Sequence, residues 1–85
     1  MDIKQQLVNL ISLVANVPPS HICLTTNIYE DLEMDTIDYL TLILRLERIF
    51  KIELPKEEID HLETVKEIKD CINRHVHTKA EAYRA

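Results

Sequence analysis

The sequence predicts an all-α fold, a small four-helix bundle with three main helices, one short helix and a long loop between the first two. Three observations carry this. Apolar residues recur at helical spacing in three separate stretches, and a capping residue precedes each of them. Gly is absent, which disfavours the tight hairpin turns of an all-β chain. A length of 85 residues leaves room for one domain with a thin core. That domain is expected over residues 1–77, with a polar, frayed tail over 78–85.

The first helix is expected over 2–16. Asp2 caps it, and Gln5 three positions on completes a capping-box spacing. Ile3, Leu7, Leu10, Ile11, Val14 and Val17 fall on one stripe at about 100° per residue. Asn16 suits a helix end, and Pro18-Pro19 prevents continuation. Residues 18–35 form a connection longer than most in compact domains. Ile22, Leu24, Ile28 and Leu32 are spaced to pin it on the core. Its end is acidic: Glu30, Asp31, Glu33, Asp35 and Asp38 follow one another with no base between them.

The second helix is expected over 36–51, with Asp35 as N-cap and Asp38 in the first turn, where negative charge complements the macrodipole. Arg48 and Lys51 stand at the opposite end. Tyr39, Leu42, Ile43, Leu46, Ile49 and Phe50 form a core face, whereas Ile37, Leu40 and Leu44 lie on another, beside Thr41, Arg45 and Arg48. After Pro55, a short helix over 56–61 turns Ile59 inward, with Leu62 just beyond. Thr64-Val65-Lys66-Glu67 is a capping box that opens the last helix, 64–77. Val65, Ile68, Ile72 and Val76 line its inner stripe, flanked by Cys71 and His75. The core is expected to include Leu7, Leu10, Ile11, Leu46, Phe50, Ile59, Ile68 and Ile72.

Composition removes several functions. A net charge of −5 and an aromatic content of 5% weigh against nucleic-acid binding, by phosphate contacts or by base stacking. Without Gly there is no phosphate-binding P-loop or dinucleotide fingerprint. No stretch reads as a membrane span, and Met1-Asp2-Ile3-Lys4 lacks a signal peptide's basic start, so a cytoplasmic protein is expected. Asp31, Glu33 and Asp35 mimic the opening of a calcium loop. Thr36 and Leu42 then occupy the positions where an EF-hand requires Gly and Glu. His21, His61, His75 and His77 show no zinc spacing, and Cys23 and Cys71 are expected to be free thiols. Nothing marks an enzyme. What remains is Thr36, a hydroxyl residue behind an acidic cap at a helix N-terminus, a place that favours phosphate.

The run Glu30-Asp31-Leu32-Glu33-Met34-Asp35-Thr36-Ile37-Asp38 resembles the attachment motif of acyl carrier proteins, roughly E-D-L-G-x-D-S-L-D. The likeness continues through Leu42, Leu46-Glu47, Phe50, Glu53-Leu54-Pro55, Glu57-Glu58 and Thr64-Val65, and covers about residues 3–76. The resemblance implies an acyl-carrier-like bundle that is not an enzyme. It also implies a 4′-phosphopantetheine arm on the residue at position 36, holding acyl groups as thioesters. By the same resemblance Asp35 assists the Mg²⁺ used during transfer of the arm. A phosphopantetheinyl transferase and acyl-transfer or synthase enzymes would dock a monomer on the second helix, through Ile37, Asp38, Leu40, Leu44, Arg45, Glu47 and Arg48. Fatty acyl, polyketide and aminoacyl cargoes all fit it.

Three departures from the pattern stand out. Thr36 replaces the attachment Ser, Glu33 stands where Gly is usual, and the second helix is basic where the family is more acidic. Thr keeps a hydroxyl, but a secondary and β-branched one. Two readings follow: a carrier whose arm sits on Thr36, or a carrier-like interaction module that binds partners through the second helix and bears no prosthetic group.

Overall fold

In the computed structural model, residues 2–84 are described, with side chains described for 2–76. The elements are α1 (Ile3–Ala15), a 3-10 turn (Pro19–His21), α2 (Thr36–Phe50), α3 (Lys56–Ile59) and α4 (Val65–Arg84). Among the described residues there is no strand, only one isolated antiparallel bridge between Asn27 and Thr64. No described helix is long and apolar enough to cross a membrane.

The caps explain the boundaries. Asp2 accepts from the Lys4 N–H at 3.0 Å, and Asn16 closes α1 in the left-handed conformation. The expected box partner Gln5 does not reach back; its amide donates to Asn9 Oδ1, one turn on. Asp35 Oδ1 accepts from the Asp38 N–H at 2.8 Å and opens α2, which Lys51 ends, again left-handed. The box at Thr64 is reciprocal: Thr64 Oγ1 accepts from the Glu67 N–H, and Glu67 Oε1 accepts from the Thr64 N–H. α4 continues past the expected end at 77. Ala80, Glu81 and Ala82 are strong helix formers, and no Gly or Pro follows Val76. The side chains of the expected frayed tail, 78–85, lie outside the described residues. α3 is shorter than expected, a single turn.

α1 packs against both α2 and α4. Leu7, Ile11, Leu42, Leu46, Val65, Ile68 and Ile72 are fully buried, and Leu10 nearly so. Phe50 and Ile59, expected in the core, lie at its margin, half-buried. Ile49 corrects the expected core face of α2: it is 49% exposed, because it borders a shallow groove whose α1 side carries polar Gln6 and Asn9 beside exposed Leu13.

The long loop is pinned as expected. Ile22 and Ile28 are buried, and Leu24 and Leu32 pack partly against the core. Its backbone also reaches the start of α4. Ile28 N–H donates to Glu63 O at 2.9 Å, while Thr26 O and Leu24 O accept from the Val65 and Lys66 N–H groups at 3.0 and 2.9 Å. Two of the free N–H groups of the first turn of α4 are thereby satisfied by the loop.

Candidate functional site

The loop delivers the acidic run to α2 through a tight polar turn. Asn27 Oδ1 accepts from both the Tyr29 and Glu30 N–H groups at 2.9 Å, and Asp31 Oδ2 accepts from the Asn27 N–H at 2.8 Å. Asn27 and Asp31 therefore build the turn, and the Asp31 carboxylate is committed to it. Glu33 follows with φ at 53°, in the left-handed region that disfavours any residue with a Cβ. This twist drives Met34 inward, 5% exposed, its N–H donating to Ile28 O at 3.1 Å. Asp35 is then free to cap α2.

Thr36 is the first residue of α2 and is exposed. No hydrogen bond to another described residue engages its hydroxyl. The chain thus presents a lone secondary alcohol at the N-terminus of a 15-residue helix, between the carboxylates of Asp35 and Asp38. A helix N-terminus stabilises negative charge, so a phosphodiester on that oxygen suits the local field, and the neighbouring carboxylates favour a bound cation beside it. The residues at this position fit a phosphate-linked arm.

Below Thr36 the outer face of α2 stays open. Ile37 is 75%, Leu44 60% and Leu40 48% exposed. Thr41 Oγ1 donates back to Ile37 O at 2.9 Å, and Thr41, Leu44, Arg45 and Arg48 line a shallow depression. Ile37, Asp38, Leu40, Leu44, Arg45 and Arg48 therefore share an accessible surface, as the sequence spacing required. Glu47 differs: it is half-buried, and its Oε2 accepts from the Leu54 N–H at 2.9 Å, bracing the turn between α2 and α3.

Opposite this face, Tyr39 is buried and stacks at a tilt on Tyr29, with ring centroids 5.4 Å apart. Its hydroxyl donates to Ile59 O and ties α2 to α3. Burial, with Tyr29 alongside, pushes the Tyr39 phenol far above its usual range, so it remains a donor. Cys23 and Cys71 are both free thiols, as expected, but their settings differ. Cys23 is exposed, and hydrogen bonds from the Thr25 and Thr26 hydroxyls lower its pKa. Cys71 is buried, and desolvation followed by the Glu58 charge raises its pKa.

Sequence reasoning missed one constellation. Glu58 on α3 meets Cys71, Arg74 and His75 on α4. The signal available was the four-residue spacing of Cys71 and His75, which puts both on one helix face. Nothing local pointed to Glu58 as their neighbour.

Comparison with known proteins gives a consistent picture. A family model described as the phosphopantetheine attachment site matches residues 5–72. The acyl carrier protein of Amoebophilus asiaticus is 31% identical over 78 residues, spanning 92% of this chain and 98% of that protein. That of Coprothermobacter proteolyticus is 30% identical, over 91% and 94% of the two chains. Among solved structures, the apo doublet acyl carrier protein from prodigiosin biosynthesis superposes with a TM-score of 0.75 at 25% identity. The match covers 86% of this chain and 35% of that one.

Proposed function

The chain belongs to the acyl carrier protein family, and from that premise we propose that it carries acyl groups on a 4′-phosphopantetheine arm joined to Thr36 Oγ1. Members of the family are carriers rather than catalysts, and they serve transferases and synthase enzymes. When attached, the arm supplies a thiol on which the acyl group rides as a thioester. The carrier domain is residues 1–77 in this reading, and the protein is a cytoplasmic monomer.

The exposed, uncommitted hydroxyl of Thr36 at the head of α2 carries the proposal. Thr36 Oγ1 is the nucleophile toward the pantetheine-bearing phosphorus of coenzyme A: the new O–P bond forms as the pyrophosphate P–O bond breaks, adenosine 3′,5′-bisphosphate leaves, and the hydroxyl proton passes to a base of the transferase. Asp35, whose Oδ1 holds the Asp38 N–H, keeps a second oxygen for the Mg²⁺ that offsets phosphate charge during transfer. The γ-methyl of Thr36 crowds the approach, and a misplacement of ~1 Å can cost ~100-fold in rate. The open face of Ile37, Leu40 and Leu44, with Asp38 above and Arg45 and Arg48 below, is the docking surface for dedicated partners. Its basic half opposes enzymes built for an acidic helix.

The same open face also supports a second reading, an interaction module with no arm. The test incubates the protein and Thr36→Ser with a phosphopantetheinyl transferase, Mg²⁺ and coenzyme A, and reads intact mass. Slow gain of the arm by the native chain and rapid gain by Thr36→Ser is the expected result. Failure of both to gain mass, with the fold intact, overturns the carrier reading in favour of the module.

A further inference from the structure

The contact between α3 and α4 is built from ligand-type atoms. Glu58, Cys71 and His75 each offer one ligand atom, and the three atoms lie within 4.8 Å of one another. Cys71 Sγ stands 3.7 Å from Glu58 Oε1, and His75 Nε2 stands 2.7 Å from Glu58 Oε2. Cys71 and His75 are one turn apart on α4, the spacing by which a single helix supplies two ligands to one metal. Tetrahedral zinc, with bonds of about 2.0–2.3 Å, needs donor atoms roughly 3.3–3.8 Å apart. The Cys71–Glu58 separation of 3.7 Å meets it, the His75–Glu58 separation of 2.7 Å is shorter, and the side chains of Glu58 and His75, both part-exposed, have room to rotate to it.

We propose that Glu58, Cys71 and His75 form a zinc-binding site that fastens α3 to α4. A thiolate, an imidazole and a carboxylate suit Zn²⁺ and are a poor set for Ca²⁺ or Mg²⁺. Water takes the fourth position, since the Glu58 and His75 side chains open to solvent while Cys71 is buried behind them. The cation takes one carboxylate oxygen. Arg74, which donates to Glu58 Oε1 at 2.8 Å, retains the other, as outer hydrogen bonds to a ligating carboxylate commonly do. On binding, the Cys71 S–H bond breaks heterolytically. Its proton passes to solvent, and the sulfur electron pair forms the bond to zinc.

The site is built from α3 and α4 and uses no residue of the acidic run or of α2. Its role is mechanical: α3 is a single turn, held besides by the Tyr39 hydroxyl, the Arg74–Glu58 ion pair and partial burial of Ile59.

The test titrates Zn²⁺ into the full chain against a chromophoric chelator, and separately records the optical spectrum with Co²⁺. One equivalent is expected to bind, with thiolate-to-cobalt charge transfer and a raised melting temperature. Cys71→Ala should abolish the charge transfer, and Cys23→Ser should preserve it. Glu58→Gln and His75→Gln, at part-exposed positions, should each weaken Zn²⁺ binding by at least ~10-fold with unchanged helical circular dichroism. These two variants decide the matter if Cys71→Ala does not fold. The proposal is overturned by no binding, by charge transfer that is lost with Cys23→Ser, or by affinity indifferent to both Gln variants.

Discussion

Replacing Glu33 with glycine should stabilise the protein, although it deletes a whole side chain. Glu33 holds φ at 53°, and a left-handed backbone costs a residue with a Cβ about 1–2 kcal/mol. Glycine adopts it freely but gives the unfolded chain more freedom, which returns up to ~1 kcal/mol. With both ranges taken at their middle, the balance is a gain of about 0.5–1 kcal/mol, or a rise of about 2–8 °C in melting temperature for a domain this small. Charge confounds the result, because Glu33 sits among Glu30, Asp31 and Asp35. Two controls separate the effects. Glu33→Gln removes charge and keeps the backbone penalty; Glu33→Ala keeps the Cβ without the rest of the side chain. Thermal and urea unfolding of the four proteins should rank the Gly variant first. If it is no more stable than Glu33→Gln, backbone relief is not the cause. If it is less stable than Glu33→Ala, the argument from φ is wrong.

Two further expectations concern charge. Glu58 has its pKa lowered first by the Arg74 hydrogen bond and then by His75. Its folded-state value lies below its unfolded one, so its stabilising contribution is present above the ordinary value of 4.5 and is lost as pH falls through the depressed one. In metal-free acid titrations, the stability difference between the native chain and Glu58→Gln should therefore shrink below pH 4.5; a difference flat across that window refutes it. On the outer face of α2, Arg45→Glu with Arg48→Glu should lower stability by about 1 kcal/mol at most, through the reversed charge in the last turn, while weakening partner docking and changing its salt dependence. Pull-down or calorimetry with a cognate transferase at two ionic strengths checks this, and unchanged binding at both removes these arginines from the interface.

Much of this architecture was legible because its determinants are local. The stripe from Leu7 to Ile11, the Asp35 cap and the Thr64–Glu67 box each depend on residues within one or two helical turns, and all three formed. The position of Thr36 followed from the cap, and exposure of Ile37, Leu40 and Leu44 from the angle separating them from the core stripe. Ile49 misled because periodicity shows which way a residue points but not what faces it, and here it faces an open groove in which Gln6 and Asn9 stand beside Leu10 and Leu13. The left-handed backbone at Glu33 was signalled only by the Gly usual at that place in the family motif, because a glutamate itself gives no sign of one, whereas Asn16 did. Glu58 was hidden because its partners belong to another helix, reached through a turn whose path no local rule describes.

The bonds from Thr26 and Leu24 to the first turn of α4 join stretches of chain about forty residues apart, and this bears on the order in which the protein is expected to assemble. The helices are short-range structures and form early, whereas each of these bonds waits for distant stretches of chain to meet, and loop-closure entropy must be overcome before any of them contributes. The loop is therefore expected to lock last in folding and release first in unfolding. Thr36 follows directly from that loop. An amide-exchange experiment would then find low protection from Leu24 to Ile28 and high protection at Leu42 and Leu46, so that the segment leading to the attachment residue breathes while the core beneath it stays closed.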